Sequence, residues 1–181
     1  KESKPDAVFT FFAGPPATAL VKQFTEFGLK QTIKLTAPGW LVSPLTLPSE
    51  GDAADGVIGI LNYVPAIDNA ANHKFQQEYQ AKDHRVGSEF AAQGYDTGLL
   101  IYAALKATGG NTADKAAFMK AFHTVHVAGT RGELRIDPKT NNIIQNLYIY
   151  DVEKKDGKVG FHVIETIPAV QDPPNGCKLM G

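Results

Sequence analysis

The stretch Pro5–Lys30, PDAVFTFFAGPPATALVKQFTEFGLK, limits the fold more than any other part of the chain. Ala7–Ala13 is an almost unbroken apolar run, the pattern of a strand covered on both faces in a parallel sheet. Gly14-Pro15-Pro16 interrupts it, and Pro16 suits a first helical turn, where its missing N–H costs nothing. Leu20, Val21, Phe24 and Phe27 then recur at helical spacing, with Lys22, Gln23 and Glu26 on the opposite face. Gly28 stands where a helix closes on a left-handed residue. A second apolar run at Thr32–Thr36 completes a strand–helix–strand unit. The chain is therefore of the α/β class, and a ligand crevice is expected at the carboxyl ends of its strands.

Charge removes several function classes. The 18 basic and 19 acidic residues leave a net charge of −1 with no basic run, so nucleic acid is not an expected partner. No stretch approaches the length of a transmembrane helix. The opening KESKPD reads as the last turn of a helix rather than a signal peptide, which predicts that the protein's beginning lies outside this chain. The single Cys177 has two readings, an unpaired thiol in a tail or half of a bridge to a partner.

Along the chain, Ala37–Asp55 is a long Pro- and Gly-containing connection of the kind that often carries function, with a short helical turn near Ser43–Leu47. Gly56–Tyr63 reads as the next buried strand. Helices are expected over Asn69–Ala81, over Phe90–Ala107 opened by Ser88 or Glu89, and over Lys115–Phe122 capped by Thr112 or Asp114. The all-round apolar character of Leu99–Leu105 predicts packing between other elements. Half-exposed strands follow at Gly132–Ile136, Gln145–Glu153 and Lys158–Glu165, with turns at Asp137–Thr140 and Asp156-Gly157. The Pro/Gly/Asn-rich tail, Pro168–Gly181, is expected to wrap the surface.

Strand–GPP–helix, then APGW, then GDAADGV leading into a strand, then a helix opening EFAAQGYD, in this order and spacing, resembles the C-terminal half of a type I periplasmic solute-binding protein of the branched-chain amino acid and aromatic acid ABC transporter group. The resemblance covers roughly Lys1–Glu165. It implies two Rossmann-like lobes that close on a small molecule, of which only the C-terminal portion is present. Residues 1–62 with 148–181 would belong to lobe 2 and residues 63–147 to lobe 1, with hinge crossings at Tyr63–Pro65 and Asn146–Val152. The N-terminal half, with the Ser/Thr residues that hold a ligand carboxylate, would be missing, leaving apolar faces that favour self-association or a retained fragment. The implied partners are a small-molecule ligand, an ABC transporter permease and that missing half. The implied location is periplasmic, or extracellular and lipid-anchored.

In amino-acid-binding members of the family, the loop matching Ala37–Leu41 supplies an acid for the ligand's ammonium group. Here that position falls on Gly39, beside Trp40. A buried ammonium without its carboxylate costs several kcal/mol, about 2–5 on the scale for breaking a buried ion pair. The residues thus point to a small organic acid, with Trp40 offering a flat face to an aromatic ring. Pro15, Pro16, Phe90, Tyr63 and Tyr95 are the further candidate contacts, each set against a plain packing role: a rigid turn for the prolines, a helix staple for Phe90, a hinge position for Tyr63 and core packing for Tyr95. Two other readings stay open, a ligand-sensing receptor or regulator domain of the same fold and a branched-chain amino acid binder. His123 and His126 have no Asp, Glu or Cys at ligand spacing, so no metal site is expected. Without G-x-S-x-G, G-x-G-x-x-G or a P-loop, neither a cofactor nor an enzymatic activity is expected.

Overall fold

The computed structural model describes residues Lys4–Pro173. The expected helix end at the start falls partly on 1–3, outside the described residues, and Lys4–Asp6 are not helical. Cys177 also lies outside the described residues. The chain forms two compact units. The first comprises residues up to Ala66 together with Tyr148–Thr166, and the second Ile67–Leu147 with the described residues from Ile167 on. The first boundary thus falls four residues after the expected Asn62/Tyr63 division, and the last strand ends with the second unit rather than the first.

In the first unit, β1 (Ala7–Phe9), β2 (Lys34–Pro38) and β3 (Ile58–Leu61) run parallel, and β6 (Ile143–Lys155) joins β3 antiparallel. Helix α1 (Pro15–Glu26) links β1 to β2 and buries Ala17, Val21 and Phe24, one face at i, i+4 and i+7. Phe27, expected on that face, is its C-cap residue and is exposed, because the helix ends one residue earlier. The short helix α2 (Leu47–Glu50) and a 3₁₀ turn at Gly51–Ala54 fill the connection to β3.

The expected strand Ala7–Ala13 is corrected to three residues, and it is not covered on both faces. β1 ends the strand order with β2 as its neighbour, and Phe9 is 72% exposed, with Phe11 and Phe12 also exposed. An apolar run signals coverage only where elements stand on both faces, and among the described residues α1 and β2 do not supply them. β3 likewise alternates, with Gly59 and Leu61 buried, instead of being buried throughout.

In the second unit, helices α3 (Ala70–Asp83), α4 (Glu89–Ala107) and α5 (Lys115–Thr124) precede β4 (Val127–Gly129), β5 (Gly132–Ile136) and the first part of β6. Each helix opens on a side-chain cap, from Asn69, Ser88 and Asp114; the last two are among the openings the sequence offers, whereas Asn69, expected as the first helical residue, caps the helix instead. The stretch Leu99–Leu105 buries Leu100 and Ala104 but leaves Ile101 and Tyr102 exposed, so the expected enclosure of this helix does not hold among the described residues. The buried Asp96 carboxylate accepts from the Thr130 N–H at 2.8 Å, the Thr130 hydroxyl at 2.9 Å and Arg131 Nε at 2.9 Å. That set of charge-assisted bonds fixes α4 to the β4–β5 turn. In the Asp137–Thr140 turn, the Lys139 backbone N–H and then the Gln171 side chain hold the Asp137 carboxyl below its ordinary value. β6 and β7 (Lys158–Val170) turn at Asp156-Gly157, and β7 carries the chain past the expected start of the tail at Pro168.

Candidate functional site

The first unit carries Phe11, Phe12, Pro15, Pro16 and Trp40 at the carboxyl ends of its parallel strands, the end where open α/β sheets bind ligands. After β1 the Thr10 N–H still bonds to the Thr36 carbonyl at 3.0 Å, and pairing then stops, which puts Phe11 and Phe12 in the loop. Gly14 takes a positive φ of 62° that turns the chain into α1. Pro15 and Pro16 form the first turn of that helix and are exposed. After β2, the Leu41 N–H bonds to the Pro38 carbonyl at 3.2 Å, a tight turn with Gly39 and Trp40 at its corners. Phe11 and Trp40 meet edge to face, with ring centroids 5.9 Å apart and planes at 79°. Trp40 is 36% exposed and Phe11 62%, so the pair presents ring surface to solvent.

The end of α1 offers little to an anion. Pro15 and Pro16 have no N–H, and the Ala17 and Thr18 N–H groups both bond to the Gly14 carbonyl, at 3.0 and 3.2 Å. Gly39 is buried, and a Cβ there would lie 2.6 Å from Leu61 Cβ and 3.0 Å from the Tyr150 hydroxyl. The position therefore has room for neither an acidic side chain nor any other.

Of the remaining sequence candidates, Tyr63 belongs to the first unit, and Phe90 and Tyr95 to the second. Tyr63 has no exposed surface and belongs to the core of the first unit. Phe90, in the first turn of α4 in the second unit, is 57% exposed, which does not fit a staple buried in the core. Tyr95 lies against Phe75 at a centroid distance of 5.2 Å, a packing role within the same unit. Sequence reasoning misses Phe11, because an apolar run gives no sign of where strand pairing ends. It also misses Tyr150, whose place beneath the Trp40 turn depends on strand register.

The first unit also has a cavity of about 490 Å³ at the opposite, amino ends of its strands, lined by Asp6, Lys30, Lys34, Asp55 and Val57 among others. Its charged groups partly satisfy one another, with Lys30 Nζ 3.5 Å from Asp55 Oδ2. The carboxyl-end cluster remains the better candidate.

Residues 1–158 match a family model described as periplasmic binding protein. A solute-binding protein of an ABC transporter from Rhodopseudomonas palustris BisB5, solved in complex with 3,4-dihydroxybenzoic acid, is 38% identical, with a TM-score of 0.85 over 95% of this chain and 47% of its own. Another from R. palustris, in complex with benzoate, is 34% identical, with a TM-score of 0.83 over 98% of this chain and 48% of its own. The Leu/Ile/Val-binding protein homolog 6 of Brucella melitensis is 33% identical over 178 residues, 96% of this chain and 45% of that protein. The chain thus spans about half the length of the relatives it matches.

Proposed function

Because this chain belongs to the periplasmic binding protein family, we propose that it forms part of the solute-binding component of an ABC importer and captures a small aromatic carboxylic acid in the periplasm. The observation that carries this reading is the exposed Phe11–Trp40 pair at the strands' carboxyl ends. A benzoate-sized ring stacks or meets edge-on with such a pair, a preference worth about 0.5–1.5 kcal/mol beyond the area buried. Pro15 and Pro16 extend the same surface without adding a donor or a charge. The packing around Gly39 supports the choice of ligand class, since an ammonium group would find no carboxylate there. Two relatives solved with benzoate-type acids support it as well. The donors for the ligand's carboxylate are not at the α1 end, and in our reading they come from residues outside this cluster. Delivery to a membrane permease completes the role.

The Brucella relative favours a second reading, capture of a branched-chain amino acid. The two separate cleanly, because Trp40 is the only tryptophan and reports on its own surroundings. The protein, purified with whatever polypeptide it retains, is titrated with benzoate, 4-hydroxybenzoate, leucine and valine while Trp40 emission and the melting temperature are followed. Quenching and stabilisation by the aromatic acids alone are expected. Stabilisation by leucine or valine instead would replace the first reading with the second.

A further inference from the structure

Tyr150 lies in β6 opposite Gly59 of β3 and is 1% exposed. Its hydroxyl is 2.7 Å from the Val42 carbonyl and 3.2 Å from the Gly39 carbonyl, the two carbonyls that bracket Trp40-Leu41. A phenol has one proton, so it donates chiefly to Val42 and shares weakly with Gly39. The ring fits only because two glycines make room. A Cβ at Gly59 would lie 2.4 Å from the ring's Cζ, and one at Gly39 3.0 Å from its oxygen. Phe161 closes on the ring edge-on, with centroids 5.4 Å apart. Up to the turn, backbone bonds hold the loop: the Gly39 N–H reaches the Ile60 carbonyl at 2.9 Å. Beyond Trp40, the Tyr150 hydroxyl ties the far side of the turn to the sheet.

We propose that Tyr150 is a positioning residue for ligand recognition, setting the angle at which the Trp40 indole meets Phe11 and the ligand's ring. Its ligand rests on the aromatic-acid reading above, but its geometry does not. Tyr150 touches no ligand in this scheme. It acts through the two carbonyls, and without the bond the corner of the turn samples other orientations.

The test is Tyr150→Phe in the full chain, which keeps the ring and removes one oxygen. In the ligand-free protein, acrylamide quenching of Trp40 is expected to rise and its emission to shift. Affinity for 4-hydroxybenzoate is expected to fall roughly tenfold, the scale of one lost buried hydrogen bond. A lower melting temperature with unchanged Trp40 emission and quenching would show a structural role only and overturn the proposal. If the parent protein binds no aromatic acid, the ligand reading falls. The ligand-free quenching still decides the positioning role, supporting it if raised and overturning it if unchanged. Should Tyr150→Phe fail to fold, Phe161→Leu loosens the ring while keeping the hydroxyl, and the same quenching criterion applies.

Discussion

Replacing Glu50 by Gln should remove one defined component of the pH dependence of the first unit's stability near neutrality. Glu50 is 3% exposed at the end of α2, where its Oε1 accepts a long bond of 3.4 Å from the Thr18 hydroxyl. Its Oε2 has no hydrogen-bond partner among the described residues. Burial pushes the carboxyl from 4.5 up to about 7, against weaker opposing effects from Thr46, Thr18 and Lys22. Because the folded-state value is the higher one, the folded protein keeps a proton that the unfolded chain releases above 4.5. Stability from this group is therefore complete below 4.5 and is lost as pH rises through 7. At about 1.4 kcal/mol per pH unit, the whole window is worth about 3 kcal/mol. Urea unfolding followed at Trp40, from about pH 4 to about pH 8.5, reads this directly. The variant should match the parent at the acid end and exceed it by about 2–3 kcal/mol at the alkaline end. Every other residue is common to both proteins, so the difference between the two curves isolates Glu50. Parallel curves for parent and variant would refute the reasoning.

In the second unit, Asp96→Asn leaves the Arg131 guanidinium buried beside a neutral amide and should cost about 3–5 kcal/mol, read as a lower urea midpoint by far-ultraviolet circular dichroism. The exposed edge of β1 makes a different demand. Phe9→Ser should reduce self-association in size-exclusion chromatography with light scattering, while moving stability by no more than about 0.5 kcal/mol. Association that is unchanged in the variant would mean that another surface brings the chains together.

Punctuation carried most of what the sequence revealed. Gly14-Pro15-Pro16, the Ser88 and Asp114 caps and the Asp156-Gly157 turn each act through local backbone chemistry, and the structure places elements where they point. What depends on distant partners was not legible. The run Ala7–Ala13 is equally apolar before and after pairing ends, so the switch from strand to exposed loop at Phe11 has no local signal. Asp96 looks like any helical acid until α4 meets Thr130 and Arg131, 34 and 35 residues away. Tyr150 and Gly39 are 111 residues apart, and only the β3–β6 register brings them together. Gly39 could be read as a missing acid. That no side chain fits there could not.

The fit between Gly39, Leu61 and Tyr150 also bears on how such a protein changes its ligand. An acid introduced at position 39 alone meets Leu61 and the Tyr150 hydroxyl at closer than van der Waals distance, so the single substitution loses stability before it gains an ammonium partner. A smaller residue at 150 alone opens a void and releases the Trp40 turn. A change at 150 also leaves the nearer clash, 2.6 Å to Leu61 Cβ, in place, so position 61 has to change as well. A carboxylate at position 39 therefore lies at least two coupled steps away, and a library that varies positions 39, 61 and 150 jointly is the one in which to look for it.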